Sequence, residues 1–358
     1  MRHALAELGW DERCEALFEP YAERGWTPAR VIRGDRGSAL VATPDGITRA
    51  APSARLQKVA RGAADLPVVG DWVAVMDEEE IDVPEIEAVL PRTSAITRGD
   101  PGEGSDVQVL AANVDTVMVV HPIAEPPNLR RVERELTLAW NSGAVPVVVL
   151  TKADLSADSD ADRAAVESIA LGVDVLALNA LEAGDVAPLL HYMSGHRTAV
   201  LLGPSGAGKS TIVNALLGRQ RQETGAVRVS DQRGRHTTVA RELIALPDGG
   251  VLIDTPGLRA LDVAGSEEGI ALTFSDIERL SNACRFRDCA HQDEPGCAVR
   301  AAIASGTLPA ARLASYQKLT REAEVAAARA DTRLRAEQDR KAKLFSRAAK
   351  DYHRTHRR

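Results

Sequence analysis

The stretch "GPSGAGKS" at 203–210 constrains this chain more than any other. It fits G-x-x-x-x-G-K-[ST] through Gly203, Gly208, Lys209 and Ser210, with Pro204, Ser205, Gly206 and Ala207 between and Thr211 following. An apolar, strand-like "RTAVLL" precedes it and a helix-like "STIVNALLG" follows. In that context the glycines let the backbone curl so that N–H groups converge on phosphate oxygens at the positive end of a helix. Lys209 would reach the β- and γ-phosphates, and the Ser210 hydroxyl would ligate Mg²⁺. Such a loop needs a strand behind it and a helix ahead, so it requires an α/β layer. It does not choose between adenine and guanine.

The texture around it agrees. Apolar β-branched runs recur as "VDTVMVV", "VPVVVL", "VDVLAL", "TAVLL" and "GGVLID", most of them separated by helical segments such as "NLRRVERELTLAWNSG". Continuous apolar strands alternating with helices predict a parallel sheet covered on both faces. "VARELIALPDGG" alternates more, and is expected to be an antiparallel edge strand.

Three further stretches place a nucleotide on this sheet. "VLIDTPGL" ends a strand at Asp254, whose carboxylate can hold Mg²⁺ through water, while the Gly257 N–H can sense the γ-phosphate. "VVVLTKADL" at 147–155 ends a strand at Thr151-Lys152-Ala153-Asp154. The two Asp154 oxygens match the adjacent N1–H and N2–H₂ donors of guanine, a pair adenine lacks, and the Lys152 stem can pack over the base. An alternative is that Asp154 simply caps a helix. "VDVLALNA" then ends at Asn179-Ala180, where GTPases usually carry Ser-Ala, whose backbone N–H meets guanine O6.

The base reader thus precedes the phosphate loop, which is a circular permutation of the GTPase order. A sheet requires its strands to be adjacent in space, not in one chain order, and ligand loops stay at strand C-terminal ends.

The flanking regions differ. Residues 1–25 read as a short helical lead-in. From Trp26 to about Arg98, "ARVIRG", "SALVAT", "GITRAA", "GDWVAVM" and "EIEAVLP" are short β-prone pieces between Gly, Pro and Asp turns, which suits a small β-barrel. Beyond 265 the chain turns helical, ending in an Ala/Arg/Glu-rich segment at about 310–343 that reads as a long exposed helix. "CRFRDCAHQDEPGC" presents Cys284, Cys289, His291 and Cys297. Three thiolates and an imidazole complete a tetrahedral Zn²⁺ shell with no open position, which makes the site structural. Cys14 stands apart as an ordinary half-buried thiol, and His121 as structural or solvated.

Net charge is −7, with 44 basic and 51 acidic residues, so the chain as a whole has no nucleic-acid bias. From Arg340 to Arg358, however, eight Lys/Arg face one acid, Asp351. That tail is either a polyanion contact or a solvated helical end. No apolar run reaches the roughly eighteen residues of a membrane span. The N-terminus, interrupted by acids, lacks a secretory pattern, and a cytoplasmic protein is expected.

The permuted order, with "VGDWVAV", "QVLAANVDTVMVV", "GRHTT", "LIDTPGLR" and the cysteine cluster in sequence, resembles the ribosome-small-subunit-dependent GTPases, the RsgA (YjeQ) family. The resemblance implies a multidomain α/β chain: an RNA-binding OB-fold at 26–100, a permuted GTPase at 101–265, and a zinc-bearing helical domain with its basic tail at 266–358. It also implies hydrolysis of GTP to GDP with Mg²⁺, one structural zinc, and action in late maturation of the small ribosomal subunit. The partners expected are that subunit and its 16S rRNA; a monomer is expected, without a membrane.

Thr151 stands where Asn is commoner, Asn179 where Ser is usual, and "AITRGDPGEGSDVQV" is acidic where relatives often carry basic residues. Leu258 follows D-T-P-G where many GTPases place a water-orienting Gln, which predicts slow intrinsic turnover. His236 in "GRHTT" is either the water-positioning group or a contact to RNA or phosphate. Thr237 or Thr238 is the expected switch threonine on Mg²⁺ and γ-phosphate.

Overall fold

The computed structural model describes residues 3–77, 83–99, 107–181, 183–218, 241–254 and 267–328. Strands β1 (Thr27–Asp35), β2 (Ser38–Thr43), β3 (Gly46–Pro52), β4 (Trp72–Met76) and β5 (Glu85–Val89) match the five β-prone pieces. They pair in the order β1-β2-β3-β5-β4, and β4 returns to β1, closing a barrel. Small and β-branched side chains fill it: Ala29, Val31, Val41, Ala50, Val73, Val75 and Ile86. Helix α3 (Ala54–Val59) leads from β3 towards β4, starting at Ser53, whose Oγ accepts from Leu56 N at 3.1 Å.

The lead-in does more than precede the barrel. Helices α1 (His3–Ala6) and α2 (Glu12–Ala22) bury Leu5, Cys14 and Phe18 against the barrel's outer residues Trp72 and Leu90. Cys14, expected half-buried, is enclosed, and desolvation pushes its thiol up to about 11.

Strands β6 (Ala95–Gly99) and β7 (Val107–Ala112) form a separate antiparallel pair. The large sheet follows with β8 (Thr116–Pro122), β9 (Val145–Thr151), β10 (Val175–Leu178), β11 (Thr198–Leu202), β12 (Glu242–Ala245) and β13 (Val251–Asp254), in the order β10-β9-β8-β11-β13-β12. All pairings from β10 to β13 are parallel, and β12 is antiparallel to β13. Alternate residues face two cores. Val117, Val119, Val148, Leu150, Val200 and Leu202 meet α4 (Leu129–Asn141) and α5 (Ser159–Glu167). Met118, Val120, Val147, Val149 and Leu201 meet α6 (Lys209–Leu216) and a 3₁₀ segment, Ala183–Met193. Burial on both faces explains the unbroken apolar runs.

Strand β12 is antiparallel as expected, but it is not an edge. Its free side receives β1 through Arg33 and Glu242, which joins barrel and sheet. The cause is a register shift in β1 between Val31 and Arg33. Thr27–Arg30 pair with β4, and the bent remainder reaches β12, so backbone groups of both strands are paired rather than left open.

Arg30 secures the same joint. Its guanidinium is buried; Nη2 donates to Thr198 Oγ1 at 2.8 Å and Asn113 O at 3.3 Å, Nε to Gly70 O at 3.4 Å, and Nη1 to Leu8 O. It also stacks 4.8 Å from the Trp72 ring centre. Burial lowers its pKa to about 10, which leaves it charged at neutral pH. Arg30→Ala strands several buried acceptors at once, and a loss of about 3 kcal/mol is expected in chemical denaturation. A midpoint unchanged from the native chain would remove Arg30 from this role.

Helices α7 (Glu267–Thr273), α8 (Ser275–Ser281), α9 (Ala298–Ala304) and α10 (310–328) enclose a third core of Phe274, Ile277, Val299, Leu308, Leu313 and Leu319. Helix α10 is not the exposed helix expected: Arg312, Leu313, Ser315, Leu319 and Ala323 are buried at helical spacing. Arg312 forks onto Asp276 at 2.6 and 2.9 Å and reaches Glu133 of α4 at 2.9 Å, docking the helical layer on the sheet domain. The tail 340–358 lies outside the described residues.

Candidate nucleotide site and metal centre

The chain lays β8, β9 and β10 outward to one side, then returns to place β11 and β13 on the other. The order reverses between β8 and β11, and open α/β sheets bind ligands at the carboxyl ends of their strands at such a point. Every expected nucleotide residue among those described lies along that edge.

Gly203 leaves β11 with φ 153°, and a Cβ there would stand 2.2 Å from the Val120 carbonyl oxygen of β8. No side chain fits so close an approach. Gly208 opens α6 at φ 89°. Lys209 Nζ donates to Gly203 O at 2.8 Å and Pro204 O at 2.6 Å, so its ammonium arches over the loop's first turn. Ser210 and Thr211 occupy the first turn of α6.

Thr151 is the joint between the two halves of the site. It is 1% exposed, and its hydroxyl donates to Ala207 O of the phosphate loop at 2.6 Å, with His121 O at 3.4 Å. Lys152 then turns left-handed at φ 60°, and Asp154 sits inside a single 3₁₀ turn, Ala153–Leu155. Lys152, not Asp154, holds the cap position of that turn. Leu178 pairs with Thr151, which puts Asn179 and Ala180 beside the same loop. The Asn179 side chain accepts from Leu181 N at 3.1 Å and its own N–H donates to Asp185 at 3.2 Å, shaping the turn. Asp254 ends β13 beside the strand that carries the phosphate loop. His236, Thr237, Thr238, Gly257 and Leu258 lie outside the described residues.

In the helical layer, the donor atoms of Cys284, Cys289, His291 and Cys297 lie within 4.8 Å of one another. Cys284 and Cys297 sulfurs are 3.9 Å apart, and the His291 Nδ1 is 3.7 and 3.5 Å from them. Four ligands at about 2.0–2.3 Å from one zinc require edges of roughly 3.3–3.8 Å, which the Cys284–Cys297–His291 triangle matches closely, with Cys289 no more than 4.8 Å from those three. The tautomer fits as well. His291 Nε2 lies 3.0 Å from Ser281 Oγ, which donates to Ile277 O at 2.8 Å. The hydroxyl therefore accepts from Nε2–H, which leaves the Nδ1 lone pair facing the thiols. Desolvation, with hydrogen bonds from the neighbouring thiols, pushes Cys289 up to about 11. Desolvation also raises Cys284, but backbone groups of Ala298 and Val299 and the other thiols outweigh it and lower its pKa.

The model of the RsgA GTPase family matches residues 89–264. Over 95% of this chain and 96% of the relative, the sequence is 45% identical to the small ribosomal subunit biogenesis GTPase RsgA of Opitutus terrae. The protein of the same name from Streptomyces avermitilis is 48% identical over 94% of this chain and 90% of its own. This chain belongs to the RsgA GTPase family.

The fold of the RsgA relatives agrees: YjeQ from Thermotoga maritima aligns with TM-score 0.62 at 23% identity, covering 83% of this chain and 98% of that one. YloQ, described as a circularly permuted GTPase, aligns with TM-score 0.61 at 23% identity over 84% of this chain and 95% of its own. An ABC transporter family model also matches, at 190–347. That span holds the phosphate loop but not Thr151–Asp154, and no helix among the described residues is long and apolar enough to cross a membrane.

Two features of the RsgA site escape sequence reading. Ser281, which accepts from His291 of the cysteine–histidine cluster, stands ten residues before it with no spacing signal. His121 takes the structural of the two readings, structural or solvated, but its partner escaped: it is buried and hydrogen-bonded to Glu135 of α4. Only the Arg131–Glu135 spacing of four on a helix hinted that Glu135 is held.

Proposed function

We propose that this chain hydrolyses GTP to GDP and phosphate, is stimulated by the small ribosomal subunit, and acts in that subunit's late maturation. The carrying observation is the Thr151–Ala207 hydrogen bond, which brings the base-reading and phosphate-binding stretches to one sheet edge despite their permuted order. The curated relatives are named as small ribosomal subunit biogenesis GTPases, which supports the partner.

In this reading Asp154 accepts from guanine N1–H and N2–H₂, Lys152 covers the base, and Ala180 N–H meets O6 with Asn179 shaping its turn. Backbone N–H groups from Ser205 to Thr211 cradle the phosphates, and Lys209 moves from the loop carbonyls onto the β- and γ-phosphates. Mg²⁺, held by Ser210 and Asp254, would neutralise charge developing between the phosphates. Thr237 or Thr238 and the Gly257 N–H sense the γ-phosphate, and His236 positions the attacking water. Cys284, Cys289, His291 and Cys297 hold one structural Zn²⁺. The OB-fold at 26–100, the GTPase at 101–265 and the helical domain at 266–358 divide the work. The barrel, zinc domain and basic tail contact 16S rRNA, as a cytoplasmic monomer.

GTP turnover with and without purified small subunits tests this reading. The native chain should be slow alone and accelerated by subunits, whereas His236→Ala should lose the acceleration and keep its GTP affinity. Absence of stimulation in the native chain overturns the partner; full stimulation of His236→Ala removes that residue from the mechanism.

A further inference from the structure

We propose that His121 and Glu135 brace the base-reading loop against the phosphate loop, which makes His121 a positioning residue for guanine affinity and selectivity. The inference rests on the base-reading role given to Asp154 above.

Both side chains are nearly enclosed, at 3% and 7% exposure, beside the apolar Val132 and Leu136 of α4. A carboxylate in such a place is costly unless its oxygens are occupied. Here His121 Nε2 donates to Glu135 Oε2, and Arg131 Nε donates to Oε1 at 3.1 Å. An apolar pair would pack this seam with less penalty, so the polar pair calls for a reason beyond cohesion.

The backbone at His121 supplies one. Residues 120–123 of the chain touch both nucleotide loops. The Val120 carbonyl lies where Gly203 makes its close approach. His121 O lies 3.4 Å from the Thr151 hydroxyl, and Ile123 N donates to Thr151 O at 2.9 Å. Thr151 is therefore held through both its hydroxyl and its carbonyl by the end of β8, and that end is tied through the His121 ring to α4. Helix α4 is itself fixed on another side by Glu133–Arg312 and by Thr137 Oγ1, 3.2 Å from Thr273 Oγ1.

Asp154 is three residues beyond Thr151, after one left-handed turn at Lys152. Bidentate recognition of a base edge demands placement within about 0.5 Å, so tilt at Thr151 is felt at Asp154. The phosphate loop has its own strand and helix and is less dependent on this brace. Loosening His121 should therefore weaken guanine nucleotides more than adenine nucleotides. An ordinary core histidine would instead reduce stability and weaken both alike.

The test is competition binding of GTP, GDP and ATP to the full-length, zinc-loaded chain, alongside turnover at saturating GTP. His121→Ala should weaken GTP and GDP about tenfold, a fraction of the roughly hundredfold that a full 1 Å misplacement costs. ATP should weaken by no more than about twofold, so that the GTP-to-ATP preference shrinks, with turnover at saturation within about twofold of native. His121→Gln, whose amide can still donate to Glu135, should restore most of the preference. Glu135→Gln should shift it in the same direction as His121→Ala by about threefold, and it decides the matter if His121→Ala does not fold. Equal loss for GTP and ATP, or no change in preference in the variants that fold, overturns the brace. Asp154→Asn serves as the separate control. If it leaves guanine preference intact, the base-reading assignment fails; if it collapses preference while His121→Ala and Glu135→Gln do not, only the brace fails.

Discussion

Gly203→Ala is expected to lower GTP affinity at least about a hundredfold, because a misplacement near 1 Å is enough to spoil a site built on converging groups. The added Cβ would stand 2.2 Å from the Val120 carbonyl oxygen, a backbone atom in the middle of the sheet. Neither strand can yield cheaply: β8 pairs with both β9 and β11, and its apolar residues are buried on both faces. The loop must move instead, and its N–H groups then no longer converge on one phosphate. Gly206→Ala is the informative comparison. Its φ of 76° is unfavourable for alanine, but no atom lies within 4 Å of the added Cβ. That variant carries only the conformational cost of about 1 kcal/mol and should keep measurable affinity. Binding of a fluorescent guanine nucleotide, with circular dichroism to verify folding, reads both. Native-like binding by a folded Gly203→Ala chain would show that this loop does not hold the phosphates.

The contrast between these glycines also shows what the sequence disclosed. The spacing marked both as loop residues, but only the strand order shows that Gly203 abuts β8. The permuted order and the strands themselves were legible because buried parallel strands leave unbroken apolar runs, as in "VVVL". Contacts between elements were not. Strand β12 alternates like an edge strand, and nothing local reveals that a bulge in β1 bends the barrel onto it. Helix α10 reads as exposed because its buried polar anchor is an arginine, and Arg312 satisfies Asp276 and Glu133 far away in the chain. The partner of His121 escaped for the same reason: Glu135 lies on the following helix, and a single histidine carries no periodic signal. At Thr151 the sequence departs from the commoner Asn. The structure gives that hydroxyl a task of its own, tying the stretch that holds Asp154 to the phosphate loop through Ala207 O.

Replacing Cys297 by serine should release the zinc and unfold the helical layer while the nucleotide site stays intact. Cys297 is tightly held within the proposed donor set: it is buried, lies close to both Cys284 and His291, and accepts from Arg300 N at 3.4 Å as the cap of α9. The layer has a small apolar core, and a structural zinc site of this donor set contributes roughly 10 kcal/mol to folding. Serine is a poor zinc ligand, and without the metal the loop from 284 to 297 is left to hydrogen bonds such as Arg285 N to Gly296 O and those from Ala290 N and Gln292 N to the Glu294 carboxylate. The Arg312 fork onto Asp276 and Glu133 then becomes a liability, because a buried guanidinium is stable only while the helices around it are in place. The sheet domain keeps its own two cores on either face, so losing Glu133–Arg312 and Thr137–Thr273 loosens α4 without dissolving the Thr151 joint to the phosphate loop. Metal analysis should therefore fall from one zinc per chain to well below one. Limited proteolysis should cut within 267–328, and GTP affinity should stay within about threefold of native, since the metal cluster reaches the nucleotide loops indirectly, through α4. Retention of stoichiometric zinc would reassign the ligand set. Loss of GTP binding together with the metal would mean instead that α4 depends on the helical layer to hold His121 and the nucleotide loops in register.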